Sequence, residues 1–124
     1  LKKYPEVKGI LGTSSFDAPG TARAIDELGL KGKVFTAGTG MPAANAQILK
    51  DGSVSTLTLW DPANAGYAMA SLATKILNGE TIEDGVNLGV EGYESMHFSS
   101  GSTKVLEGTG WLKITKDNVD SLGF

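Results

Sequence analysis

Three short stretches of this chain gather the side chains that could recognise a small molecule: Thr13-Ser14-Ser15-Phe16-Asp17, Gly38-Thr39-Gly40-Met41 and Trp60-Asp61-Pro62-Ala63-Asn64. They offer hydroxyls, carboxylates, an amide and two aromatics, with neither lysine nor arginine among them. Hydroxyls donate and accept hydrogen bonds, and an indole presents a flat apolar face. Such a set suits a neutral polyol, whose hydroxyls need both roles and whose C–H face can lie on a ring. It suits a phosphorylated or carboxylated ligand less well. Ser14, Ser15, Asp17, Thr39, Trp60, Asp61 and Asn64 are therefore candidate ligand-binding residues. Asp17, Thr39 and Asp61 are equally the types that cap helices. Trp60 is too large to be an incidental neighbour of a cap, and stands either at a site or half-buried in packing.

A second chemistry competes for the middle stretch. Gly38-Thr39-Gly40-Met41-Pro42-Ala43 fits G-x-G-x-x-[GA], follows a strand-like run and opens a helix-like one, and Asp61 lies where a ribose-binding acid would be expected. Against a dinucleotide site, Pro42 removes a backbone donor at the helix start, and a strand and helix already precede the motif. The glycines serve equally well as a tight turn. Catalytic constellations are scarce. His97 is the only histidine, no G-x-S-x-G elbow accompanies it, and it reads as a half-exposed strand residue. Glu80, Glu83 and Asp84 read as solvated surface, too few ligand types for a metal. The chain reads as a non-enzyme that needs no cofactor.

The elements that must position these residues alternate. Residues 7–12, 34–37 and 54–59 read as short strands, and each precedes a helix with written start and stop. The first helix has Asp17 before Pro19, apolar Ala22, Ile25 and Leu28, and Gly29 as stop. The second has Thr39 and Gly40 before Pro42, apolar Ala46 and Leu49, then Gly52. In the third, Asp61 caps Pro62, and Ala65, Met69, Leu72, Ala73 and Ile76 form a stripe ending at Gly79. Proline fits a first helical turn and glycine a left-handed stop. Strand and helix repeated three times implies an α/β fold, a parallel sheet with helical crossovers. Ligands in such sheets bind beyond the carboxyl ends of the strands, where the three stretches fall. Past Gly79 the pattern becomes an irregular, glycine-rich β tail. Residues 96–98 and 103–106 form a candidate hairpin, and 111–115 one further strand.

At 124 residues, 40% hydrophobic and 20% charged, the chain has the composition of one globular domain. A net charge of −3 argues against nucleic acid as a partner. No run approaches the ~20 apolar residues of a membrane span. The chain has no cysteine. Leu1-Lys2-Lys3-Tyr4-Pro5 reads as the last turn of a helix, so upstream sequence, targeting signal included, is expected to precede it.

The residues resemble a family. Tyr4-Pro5-Glu6-Val7-Lys8-Gly9-Ile10, Ala22-Arg23-Ala24-Ile25, Leu28-Gly29, Lys50-Asp51-Gly52 and Lys75-Ile76-Leu77-Asn78-Gly79-Glu80 are similar to the distal lobe of ribose-type periplasmic sugar-binding proteins. Leu59-Trp60-Asp61 and the stretch Ile114-Thr115-Lys116-Asp117-Asn118-Val119-Asp120-Ser121-Leu122-Gly123-Phe124 look closest to the rhamnose and autoinducer-two binding branch. The resemblance implies the periplasmic-binding-protein-like I fold, with ligand closed between two lobes by a hinge. Residues 1–60 would belong to the distal lobe. Residues 61–80 would be a crossover helix packing on a proximal, N-terminal lobe missing from this chain, and 81–124 a tail with hinge-returning strands. It further implies an ABC importer with a membrane permease as partner, a sugar-like ligand, and a periplasmic or lipoprotein-anchored location. Ser14 falls where ribose binders place a ligand-bonding asparagine; Pro19 and Thr21 fall where the autoinducer branch places a proline and an alanine that touch its ligand. Gly40 replaces an aspartate of the ribose binders and Trp60 a glutamine, which weakens ribose as the ligand. The effector lobe of a LacI-type regulator shares the fold and stands as an alternative beside the dinucleotide-binding domain.

Overall fold

The computed structural model describes residues 1–124, which form two compact units. The first comprises Leu1–Leu59 and Lys113–Phe124, the second Trp60–Leu112. In chain order the elements are β1 (Gly9–Leu11), α1 (Asp17–Glu27), β2 (Phe35–Thr39), α2 (Pro42–Lys50), β3 (Thr56–Trp60) and α3 (Pro62–Leu77). There follow β4 (His97–Phe98), β5 (Leu106–Glu107), β6 (Trp111–Ile114) and a single 3₁₀ turn, Val119–Ser121. The main sheet has the order β1-β2-β3-β6. β1 pairs with β2 and β2 with β3 in parallel, as the alternation of strand and helix requires. The fourth strand makes the sheet mixed.

In the first unit, α1 buries Ala18, Ala22 and Ile25, and the sheet and its connections supply Thr36, Val54, Leu57 and Ile114. Buried hydroxyls are paired within this core: Thr36 Oγ1 donates to the Ile10 carbonyl at 3.2 Å, and Ser53 Oγ to Asp26 Oδ2 at 3.0 Å. Pairing matters because a buried hydroxyl without a partner costs about 1–3 kcal/mol. Thr56 Oγ1 donates to the Ile114 carbonyl at 2.9 Å, joining β3 to β6. The last residues lie along α2, where Val119 is buried, Lys50 Nζ meets Asp120 Oδ1 at 2.6 Å, and Ala43 N–H donates to the Phe124 oxygen at 3.1 Å.

In the second unit, Ala68 of α3 packs with Leu88 and Met96, against partly buried Leu72, Val86, Val90, Tyr93 and Leu106. The candidate hairpin forms as the antiparallel pair β4–β5, with His97 opposite Glu107 and Phe98 opposite Leu106.

Four sequence readings change. Residues 1–7 form turns, Tyr4 N–H to the Leu1 carbonyl and Val7 N–H to that of Tyr4, rather than the end of a helix. Thr39 does not cap α2: it is the last residue of β2, paired opposite Thr58, and Met41 holds the cap position. Asp17 lies inside α1, after Phe16 at the cap. In α2 the inward positions are Pro42, Asn45 and Leu49, because the Asn45 amide donates to the Met41 carbonyl at 2.8 Å and so can be buried in place of Ala46. The glycine stops hold: Gly29, Gly52 and Gly79 take φ of 64°, 79° and 78°, the left-handed region that other residues resist. The stripe of α3 is only half covered within its unit, with Met69, Ala73 and Ile76 exposed.

Candidate functional site

In the first unit the loop after β1 is folded by Asp17. Its Oδ2 accepts the N–H groups of Thr13 at 2.9 Å and Ser14 at 3.0 Å, so the carboxylate reaches back into the loop instead of capping the helix ahead of it. These bonds, the one from Ser14 first, stabilise the charged form and hold its pKa below the usual carboxylate value. The Ser14 hydroxyl accepts from Phe16 N–H at 3.3 Å and also supports the Asp17 carboxylate. Ser15 is exposed, and Phe16 stands out with 85% of its surface free. Pro19 and Thr21 follow on α1, half-buried. Asp17, Thr21, Leu11, Gly12 and Gly20 line an open cavity of about 450 Å³.

Thr39 reaches the carboxyl end of β2 beside Thr58 of β3, a hydroxyl that the spacing of motifs did not single out. Cross-strand register is what reveals it. Between these strands and α2 the glycine pattern is explained by packing. A Cβ on Gly38 would lie 3.0 Å from the Gly12 carbonyl oxygen, and one on Gly40 would lie 2.9 Å from Asn45 Nδ2 and 3.3 Å from Leu57 Cδ1. Both glycines are needed for backbone and side chains to approach, whatever binds nearby. This removes the main support for a dinucleotide fingerprint.

In the second unit Asp61 is the cap that the sequence suggested. Its Oδ1 accepts from Ala63 N–H at 2.7 Å and Asn64 N–H at 3.1 Å. Asn64 itself is half-buried in the first turn of α3. Trp60 is 43% exposed, and its ring meets Trp111 edge-to-face, with centroids 5.4 Å apart and planes at 84°. No spacing rule connects these two tryptophans, and Trp111 was not among the expected site residues.

His97 lies exposed on β4 with Nδ1 3.0 Å from Asp84 Oδ2 and Nε2 3.1 Å from Ser95 Oγ. Asp84 Oδ1 also accepts from Phe98 N–H at 2.7 Å. The His97 contact, then that N–H, hold the Asp84 pKa below its usual value. The Asp–His–Ser order is that of a hydrolase triad, but the His97 and Asp84 side chains are each 60% exposed, without the dry surroundings that strengthen such bonds. Here the bonds fasten residues 84–86 to β4, beside the backbone bonds Gly85 N–H to Met96 O and Met96 N–H to Val86 O.

A mixed, mostly parallel sheet with helical crossovers and a β-rich tail matches the periplasmic-binding-protein-like I class. The chain belongs to the periplasmic binding protein domain family, whose model matches residues 1–81. That family is one of non-catalytic binding proteins. Among solved structures the chain is similar to a sugar ABC transporter from Actinomyces odontolyticus, at 28% identity and a TM-score of 0.78 over all of this chain and 39% of that one. It is similar also to LsrB from Clostridium saccharobutylicum in complex with AI-2, at 22% identity and a TM-score of 0.70 over all of this chain and 42% of that one. GanP, a glucose-galactose binding protein from Geobacillus stearothermophilus, follows at 21% identity and 0.70, over 95% of this chain and 35% of that one. The chain thus spans well under half the length of these structures. No curated protein matches significantly.

Proposed function

We propose that this chain is part of the solute-binding component of an ABC importer, working outside the cytoplasm, and that it supplies one side of a site for a small sugar or sugar-like molecule. The observation that carries this reading is its similarity along all 124 residues to the Actinomyces sugar ABC transporter, with which it also shares 28% identity. The family match supports it independently. So does the chemistry of Ser14, Ser15, Asp17, Thr39 and Thr58, which offer hydroxyls and carboxylate without any cation. Trp60, Asp61 and Asn64 would add an indole face, a carboxylate and an amide. In this reading residues 1–60 form part of the distal lobe and the tail returns through the hinge. The exposed Tyr67, Met69, Ile76 and Leu77 on α3 would then be covered by the N-terminal lobe of the same protein. A membrane permease is the implied partner, and the location periplasmic or membrane-anchored.

Within the class, Leu59-Trp60-Asp61 and the Ile114 to Phe124 stretch favour the rhamnose and autoinducer-two branch. The likeness to LsrB and that to GanP are of equal strength, so the proposed ligand stays a small sugar or sugar-like molecule. Titration calorimetry of the whole protein against monosaccharides is the test. Binding is expected there and not with residues 1–124 alone, since half the hydrogen-bond partners and the closure that excludes water come from the other lobe. Micromolar binding by the 124-residue chain alone would refute the two-lobe account.

A further inference from the structure

The second unit begins at Trp60 and ends at Leu112, so Trp60 and Trp111 stand beside the two points where the backbone passes between units. They are far apart in sequence, yet their rings make an edge-to-face pair with centroids 5.4 Å apart at 84°. Both remain substantially exposed, Trp111 at 57%. A half-exposed indole without a neighbour to lock it samples several rotamers, and a ligand that stacks on it must then select one. An edge-to-face partner removes that freedom, because the ring quadrupole favours the perpendicular arrangement over a sliding one.

We infer that Trp111 is a positioning residue for Trp60, holding the Trp60 indole as a preset apolar wall that selects cyclic sugars over open-chain polyols. The inference rests on Trp60 being a ligand contact, as proposed above. A fixed flat wall complements the rigid C–H face of a sugar ring. An alditol carries the same hydroxyls on a flexible chain, and must give up rotational freedom to lie flat on the same wall. Discrimination between a sugar and its alditol is therefore the property Trp111 controls, which a merely structural role would leave unmoved.

The test uses the full-length protein labelled with fluorotryptophan, with Trp111→Ala and Trp111→Phe variants. In the ligand-free protein the Trp60 fluorine resonance should be single and narrow. It should broaden or split in Trp111→Ala and recover in Trp111→Phe, which keeps an aromatic edge or face. In titrations with D-glucose, D-galactose and L-rhamnose, each beside its alditol, Trp111→Ala should weaken the preferred sugar about three- to tenfold. The alditol should change less, and Trp111→Phe should restore the preference. A Trp60 resonance unchanged in Trp111→Ala overturns the inference. So does full retention of the sugar-to-alditol ratio when that resonance has become disordered. If the wild-type protein binds no sugar, the functional reading fails and takes the selectivity with it, while the fluorine spectra still decide whether Trp111 fixes Trp60.

Discussion

Replacing Asp61 tests its cap role apart from the proposed binding role, because one oxygen carries the whole cap. Oδ1 takes both cap bonds, from Ala63 and Asn64, and Oδ2 has no part in the cap. Losing an Asp cap to alanine costs typically ~1 kcal/mol, within a range of about 0.5–2. The negative charge at a helix start adds about 0.3–1 kcal/mol. The second unit has a small core, built on Ala68, Leu88 and Met96, so α3 leans on its local start signals more than a deeply buried helix would. Asp61→Ala should therefore destabilise the chain by about 1.5–2 kcal/mol. Asp61→Asn keeps an acceptor at Oδ1 and should lose only the charge contribution, about 0.3–1 kcal/mol. Guanidinium unfolding followed by far-ultraviolet circular dichroism reads both, as a shift in midpoint at unchanged slope. In the whole protein Asp61→Asn should weaken sugar binding about tenfold or more if Oδ2 accepts from a ligand hydroxyl, since hydrogen bonds to charged groups are the strong ones. An Asp61→Ala chain within about 0.3 kcal/mol of wild type would refute the cap argument, whose smallest expected effect is larger. Wild-type affinity in a folded Asp61→Asn protein would remove Asp61 from the site.

Trp60→Ala leaves a largely intact fold, because a ring that is 43% exposed contributes less than an interior one; the expected loss is about 2 kcal/mol of stability, with a loss of sugar affinity of about 1–3 kcal/mol, read by paired melting and calorimetry. Leu57→Ala in the central strand, at 0% exposure, should instead cost about 2–5 kcal/mol in denaturant titration. Gly40→Ala should destabilise by about 1–3 kcal/mol, as its methyl would press on Asn45 and Leu57, while leaving the response to added NAD unchanged at none. Asp17, Asp51 and Asp84 have folded pKa values below the ordinary carboxylate value, so the stability they contribute is present above that ordinary value and is lost as pH falls through the lowered ones. Unfolding midpoints should thus decline with acid below about pH 4, and Asp84→Asn should flatten part of that decline.

The alternation of strands and helices was legible because its signals are local. Pro42 and Pro62 sit in first helical turns, Gly29, Gly52 and Gly79 follow last ones, and each acts on its own backbone whatever the rest of the chain does. What was misread depends on partners elsewhere. Thr39 looked like a cap because Gly40 and Pro42 follow it, but pairing with Thr58 keeps it in the strand. Asp17 looked like a cap because a helix follows, but the loop behind it offers two free N–H groups and the carboxylate turns to them. Asn45 was passed over as a core residue, since only the nearby Met41 carbonyl makes its burial tolerable. The tryptophan pair and the Asp84–His97–Ser95 chain join residues whose proximity follows from the tail's path, which no periodicity encodes.

The helix starts also bear on what the strand-end loops can hold. An anion such as a pyrophosphate needs several free N–H groups at a helix N-terminus, commonly with a cation alongside. Pro42 and Pro62 supply no N–H at the first position of α2 and α3, and Pro19 none in the first turn of α1. The next donor of α2, Ala43 N–H, is taken by the Phe124 oxygen, and those of α3, Ala63 and Asn64, by Asp61. At α1 the carboxylate of Asp17 already occupies Thr13 and Ser14 N–H. At each helix start at least one N–H donor is therefore missing or taken by the protein's own oxygen. Hydroxyl chemistry remains, most freely from Ser15 and Thr39, since Thr58 Oγ1 donates to the Gly38 carbonyl at 3.4 Å and Ser14 Oγ accepts from Phe16 N–H. A charged ligand would have to displace some of these built-in bonds, and that difference favours a neutral polyol as the ligand proposed above.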